Sequence, residues 1–336
     1  MSYWKELANA LIHWSGYHAG EETLQVTICC VETPNAVLDV LSLAMKRSKV
    51  RAFGFTGDGS PKTWRFAKFI VDMIHSNHEV TTVGFHSVVL SNQEWKTICN
   101  SIRIRSAQQH ASMMDSFQLT KCFVDGISDE VLKDILTSND AGVFLKRNGM
   151  SSREASIIAE FLGSNPPLAR LCLMENRFDD DAALLANSLS SNTNLKSLEV
   201  DGNNIKEEGR LAFLRAIFDV SSLAACAASN HTCQVLGLGQ VLCLNAFDDA
   251  AYNKWDKIFA MLASSSEDSF IIINTGLLSE VPASLMSVLL YRAYGQNEFE
   301  TGFTDLYLEL TDARRCERHD VWTTSAIRRH SVVCTT

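Results

Sequence analysis

Apolar residues recur through the first two thirds of the chain in one short figure. An apolar position is followed three residues on by an apolar pair separated by one residue, then by Asn or Cys. The clearest copies begin at Leu168 and Leu195. Leu168, Leu171, Leu173, Asn176 and Phe178 match Leu195, Leu198, Val200, Asn203 and Ile205 at a constant offset of 27 residues. Upstream, Asp140, Val143, Leu145, Asn148 and Met150 repeat the figure with a polar first position, and Met114, Phe117, Leu119, Cys122 and Val124 repeat it with Cys for Asn. Shorter matches begin at Val80, Val50 and Thr23, and a last one at Leu223 runs through Cys226 and Ala228. The eight starts are separated by 27, 30, 34, 26, 28, 27 and 28 residues. Alternating apolar residues predict a short strand with one buried face. The Asn stands where the chain leaves the strand, and its amide suits backbone groups that the bend leaves unpaired.

The other half of each unit reads as helix. Ser60-Pro61 predicts a helix start, with Trp64, Ala67, Val71 and Ile74 on one face. Trp95, Ile98, Cys99 and Ile102 make a second stripe. Ser151 and Glu154 have capping-box spacing ahead of Ala155, Ile158, Ala159 and Leu162. Leu185, Ala186 and Leu189 follow, then Leu211, Leu214, Ile217 and Phe218. One strand and one helix per unit bury little alone, so the core comes from stacking units on each other.

This L-x-x-L-x-L-x-x-N pattern resembles the leucine-rich repeats of the ribonuclease-inhibitor-like family, most closely over residues 140–222. The resemblance implies an α/β solenoid: a horseshoe with a parallel concave sheet, outer helices and helical caps at both ends. The expected organisation is an N-terminal helical cap over 1–22, repeats over 23–230, and a C-terminal region over 231–336. Trp4, Leu7, Leu11 and Trp14 have the spacing of the first cap. The last region is either a cap or a small mixed α/β domain, with helical spacing at 257–262 and 283–294 and a strand-like run at 270–273. Such solenoids serve as inhibitors, sensors, scaffolds and GTPase activators, so fold alone leaves function open.

The net charge of −9 argues against a nucleic-acid partner, since phosphate binding concentrates Lys and Arg. Arg314, Arg315, Arg318, Arg328 and Arg329 form either a local basic patch or a solvated terminal segment. The opening residues lack the basic start and unbroken apolar run of a secretory signal, and no window suits a membrane span. A cytoplasmic location, with ten scattered cysteines reduced, is the expectation.

No catalytic residue, cofactor or metal is expected. Gly57 to Thr63 has Pro61 where a phosphate loop needs Gly before the Lys, and Gly237-Leu238-Gly239 lacks the third glycine of a dinucleotide motif. Cys29-Cys30, His231-x-Cys233 and Cys316-x-x-His319 lack closed zinc spacing. The informative residues are the third, fifth and seventh of each unit, which point away from the core. In the first four units these are small and neutral. In the next three the projecting residues and their neighbours include Phe144, Lys146, Arg147, Arg170, Met174, Glu175, Glu199 and Asp201. Aromatic, Met and Arg side chains are enriched at protein interfaces. The expected function is therefore a scaffold or sensor that binds a protein on its concave face. A GTPase-activating module of the Ran GTPase-activating protein type is the alternative, although no residue identifies its catalytic group.

Overall fold

A computed structural model describes residues 2–17, 24–29, 33–107, 112–179, 181–217, 219, 225 and 228–238. The chain divides into two compact units, residues 1–216 with 232–242, and residues 217–231 with 243–336. The first unit contains one parallel sheet of eight strands in sequence order. They are β1 (Leu24–Cys29), β2 (Val50–Thr56), β3 (Thr82–His86), β4 (Ser116–Thr120), β5 (Gly142–Phe144), β6 (Arg170–Cys172), β7 (Ser197–Glu199) and β8 (Gln234–Leu236). The helices are α1 (Ser2–Tyr17), α2 (Asn35–Arg47), α3 (Trp64–Ser76), α4 (Asn92–Ser106), α5 (Asp129–Leu136), α6 (Ser152–Gly163), α7 (Ala182–Leu189) and α8 (Glu207–Ile217). Alternating strand and helix around a continuous parallel sheet is a leucine-rich-repeat-type solenoid.

The register is the one the repeat predicts for seven strands. Val26, Phe53, Val83, Phe117, Val143, Leu171 and Leu198 are paired one to the next across the sheet. From Phe53 onward these residues are buried, beneath helices that pack side by side. The eighth strand is a correction. Leu198 pairs with Val235, and the strand begins past the repeat boundary drawn at residue 230. Ala228 has helical backbone and is exposed, while Leu223 and Cys226 lie outside the described residues.

Three helix faces also differ from their sequence reading. α3 starts at Trp64, after Thr63, and Pro61 instead bridges to Val89 in the next unit. Its buried face is Phe66, Ala67, Phe69, Ile70, Met73 and Ile74; Trp64 is 61% exposed and Val71 is half-buried. In α8 Phe213 and Ile217 are buried, with Leu211 exposed and Leu214 half-buried; the side chain of Phe218 lies outside the described residues. In α1 Ala8 and Leu11 are buried, whereas Leu7 and Trp14 are exposed and Trp4 is half-buried. The Trp95, Ile98, Cys99 and Ile102 stripe of α4 is fully buried. Ala155, Ile158 and Leu162 of α6 are buried, with Ala159 half-buried. The Glu154 carboxylate accepts the Ser151 backbone N–H at 2.8 Å, holding the start of that helix. The same device opens α4, where Ser91 and Glu94 form a capping box that the sequence reading passed over.

Asn148, Asn176 and Asn203 form a ladder, each bonding backbone of the unit before it. The Asn148 side chain accepts from Cys122 N at 2.9 Å and donates to Leu119 O at 2.9 Å. Asn176 accepts from Asn148 N at 2.9 Å and donates to Leu145 O and Leu173 O, each at 2.9 Å. Asn203 accepts from Phe178 N at 3.2 Å and donates to Leu173 O at 2.9 Å and Val200 O at 2.7 Å. Cys122 holds the same place with a thiol that donates to Phe85 O at 3.5 Å and Thr120 O at 3.4 Å. Asn77, Asn139 and Asn192 are buried elsewhere and also bond the backbone, as with Asn192 to Leu162 O at 2.9 Å and from Leu195 N at 2.8 Å.

Candidate interaction face

Helices cover one face of the sheet, as the 4.7 Å approach of the Phe55 ring to Phe66 of α3 and the 5.7 Å approach of Phe85 to Trp95 of α4 show. The opposite face carries the third, fifth and seventh positions. Pairing aligns Thr27, Gly54, Gly84, Gln118, Phe144, Cys172, Glu199 and Leu236 in one central row. Bulk therefore increases from β2 and β3, which carry glycine in this row, to β5, which carries Phe144.

Phe144 and Arg170 come together. The guanidinium carbon lies 5.7 Å from the ring centroid, a cation–π arrangement. The same side chain crosses β5, and its Nη2 donates to Asp115 O at 2.8 Å at the start of β4. Arg170 is thus anchored while remaining exposed. Gly142 lies under this pair: a Cβ there would come 3.0 Å from the Phe144 ring.

Lys146, Arg147 and Glu175 form a second cluster. Lys146 Nζ is 2.7 Å from one Glu175 oxygen, and Arg147 pairs with the other. The hydrogen bond from Lys146, with Arg147 adding to it, holds the Glu175 carboxyl below the usual glutamate range. Arg147 and Glu175 have left-handed φ of 57° and 53°, and the residues at the same place in earlier units, Ser87 and Lys121, have 51° and 53°. Non-glycine residues pay about 1 kcal/mol in this region. The repeated conformation turns each chain off the sheet while its N–H stays bonded to the next unit, as in Arg147 N to Met174 O at 3.1 Å.

The remaining predicted residues are less closely joined. Met174 and Glu199 are half-buried. Glu199 lies beside Cys172, whose thiol is pushed up to about 12 mainly by burial. Cys172 is buried although it is on the projecting row, so neighbouring side chains cover it. Asp201 is exposed and joins the cluster through its backbone, its carbonyl accepting from Glu175 N at 2.7 Å. Sequence reasoning missed His86 and Lys121. His86 lies on the inner face in a half expected to be neutral. Burial, then the charges of Lys121 and Arg147, lower its pKa below the ordinary value. The available signal was the eighth position of the unit, which holds Lys121, Arg147 and Glu175 in succession.

The loop after β2 does not present an open cation. Asp58 accepts from Ser60 Oγ at 2.6 Å and from Lys62 Nζ at 2.9 Å, which keeps its carboxyl far below the usual aspartate range. Burial pushes Cys99, Cys122 and Cys233 up to about 12, which makes them poor nucleophiles and poor metal ligands. Among the described residues no three His, Cys, Asp or Glu side chains are grouped to hold a metal, and no helix is long and apolar enough to cross a membrane. Cys30, Cys316, His319, Gly239, the five C-terminal arginines and the elements expected over 257–294 lie outside the described residues.

No family model and no curated protein matches the chain. A crystal structure of a Bacteroides fragilis protein, a target of the Northeast Structural Genomics Consortium, aligns with 12% sequence identity and a TM-score of 0.31. The alignment covers 62% of this chain and 79% of that one.

Proposed function

We propose that this chain is a non-catalytic binding scaffold of the ribonuclease-inhibitor-like type. It takes a protein partner on the uncovered face of its sheet, around β5 to β7. The observation that carries the reading is the pair Phe144 and Arg170: a half-buried aromatic ring under an exposed guanidinium that is anchored on the face of the sheet the helices leave uncovered. Such a pair offers apolar area and directed donors with little side-chain entropy left to lose, which is what a binding hot spot needs. The Lys146–Glu175–Arg147 cluster and Asp201 follow the ends of β5 to β7 and supply the polar rim on that side. A cytoplasmic partner is part of the proposal.

The experiment is capture from native extract by the full chain and by a quadruple variant carrying Phe144→Ala, Arg170→Ala, Glu199→Lys and Asp201→Lys. A protein retained by the parent and lost from the variant, with the variant still folded, is the expected result. Equal retention by both overturns the reading.

A further inference from the structure

The inner face carries a second polar group beyond the Phe144 pair, at the C-terminal end of β3. His86 pairs in register with Thr56 of β2 and Thr120 of β4. Paired residues of a parallel sheet project to the same side about 4.8 Å apart, so two hydroxyls flank one imidazole. Gly84, two positions earlier on this face, leaves that side open, and a Cβ there would make only ordinary contact with Gln118 at 3.7 Å. Lys121 and Arg147, in the left-handed turns after β4 and β5, bring positive charge to the same place. Among the described residues the Thr56 and Thr120 hydroxyls and the His86 ring make no hydrogen bond, and Lys121 makes no ion pair. Three cations, Lys121, Lys146 and Arg147, are opposed here by the single carboxylate of Glu175.

We propose that Thr56, His86 and Thr120, with Lys121 and Arg147, form a subsite for an oxyanion on an acidic segment of the protein partner. The proposal rests on the concave-face reading above. The hydroxyls and the imidazolium donate to the bound oxygens, while Lys121 and Arg147 neutralise their charge. Burial first, and then the two repelling cations, favour the neutral imidazole when the site is empty. An arriving anion reverses the local sign, and the imidazole takes one proton from solvent. The other charged groups near this end of the sheet do not supply that change. Asp58 and Lys62, on the loop after β2, are bound to each other, and the one carboxylate of Glu175 is shared between Lys146 and Arg147, which leaves net positive charge with Lys121. On β1 the corresponding residue is Cys29.

Imidazole proton NMR of the full chain tests this, with the His86 signal identified by its absence in His86→Asn. The probes are hexaglutamate, inorganic phosphate and, as control, hexaglutamine. Hexaglutamate is expected to raise the His86 pKa by about half a unit, and its binding to tighten about threefold as pH falls through the histidine range. Lys121→Gln with Arg147→Gln should abolish both effects while the melting temperature shows the chain still folded. A response to phosphate alone keeps the oxyanion site and identifies its source as a phosphorylated segment. A His86 signal unmoved by both anions, or moved equally in the double variant, overturns the proposal. That failure is separate from failure of the scaffold reading, which turns on whether the quadruple variant still retains the partner.

Discussion

β2 to β4 are five to seven residues long and rest on phenylalanine, whereas β5 to β7 have three residues each and rest on valine and leucine. In the first region Phe53, Phe55, Phe66, Phe69, Phe85, Trp95, Phe117 and Phe123 form a chain of tilted and edge-on ring contacts. Such rings contribute large buried areas and prefer the tilted and edge-on arrangements seen here. The two regions also satisfy backbone groups differently. The later units use the asparagine ladder. Both bond loop to loop, as Gly59 N to Ser87 O at 3.1 Å in the earlier units and Arg177 N to Met150 O at 2.8 Å in the later ones, so the ladder is what the later units add. The earlier units add a buried Arg105, which donates to Ile74 O, Asn77 O and His78 O at 2.6 to 2.8 Å. One register thus tolerates two chemistries, provided that every buried carbonyl and N–H is met.

The shared register is the first thing to break. Leu198 is fully buried in the column that joins all the strands, so Leu198→Asp places a carboxyl among apolar neighbours. A loss of about 4 kcal/mol or more is expected in urea denaturation. A midpoint close to the parent's would show that the column is misplaced.

Arg105→Met sharpens the contrast between the regions. It keeps much of the apolar stem but leaves the three carbonyls without their donor, at a cost of about 3 kcal/mol. Hydrogen exchange should quicken first around α3 and β3 and leave β6 and β7 protected. Uniform loss of protection would mean that the two regions are not energetically distinct.

The ladder gives a smaller effect. Asn176→Ala removes an amide that accepts from and donates to the preceding unit while bonding its own strand end, and should cost about 2 kcal/mol. Cys122→Ala removes only weak thiol contacts and should cost about 1 kcal/mol. Equal losses in the two variants would contradict the view that the amide, rather than any small polar group, carries the turn.

Much of this was legible in the sequence, because alternation in a strand leaves little freedom: a one-residue slip exchanges the two faces. The seventh strand followed from Leu198 and Val200. The eighth did not, because Val235 is followed two residues later by Gly237, where an apolar partner is required. Leu223, Cys226 and Ala228 had the spacing instead, and Ala228 turned out to be helical. Pro61 suited a helix start, yet it serves the loop pairing, which shifted the expected face of α3. On the inner face, strand spacing was enough to bring Phe144 beside Arg170. The surroundings of His86 were not legible, because Lys121 and Arg147 follow the strand in left-handed turns that alternation does not describe.

The central claim, that the face around Phe144 is a binding surface, is tested most directly by calorimetric titration of the captured partner into parent and Phe144→Ala protein. The account predicts weakening of about thirtyfold, equivalent to about 2 kcal/mol, with little change in melting temperature. An unchanged dissociation constant in a folded variant would contradict it.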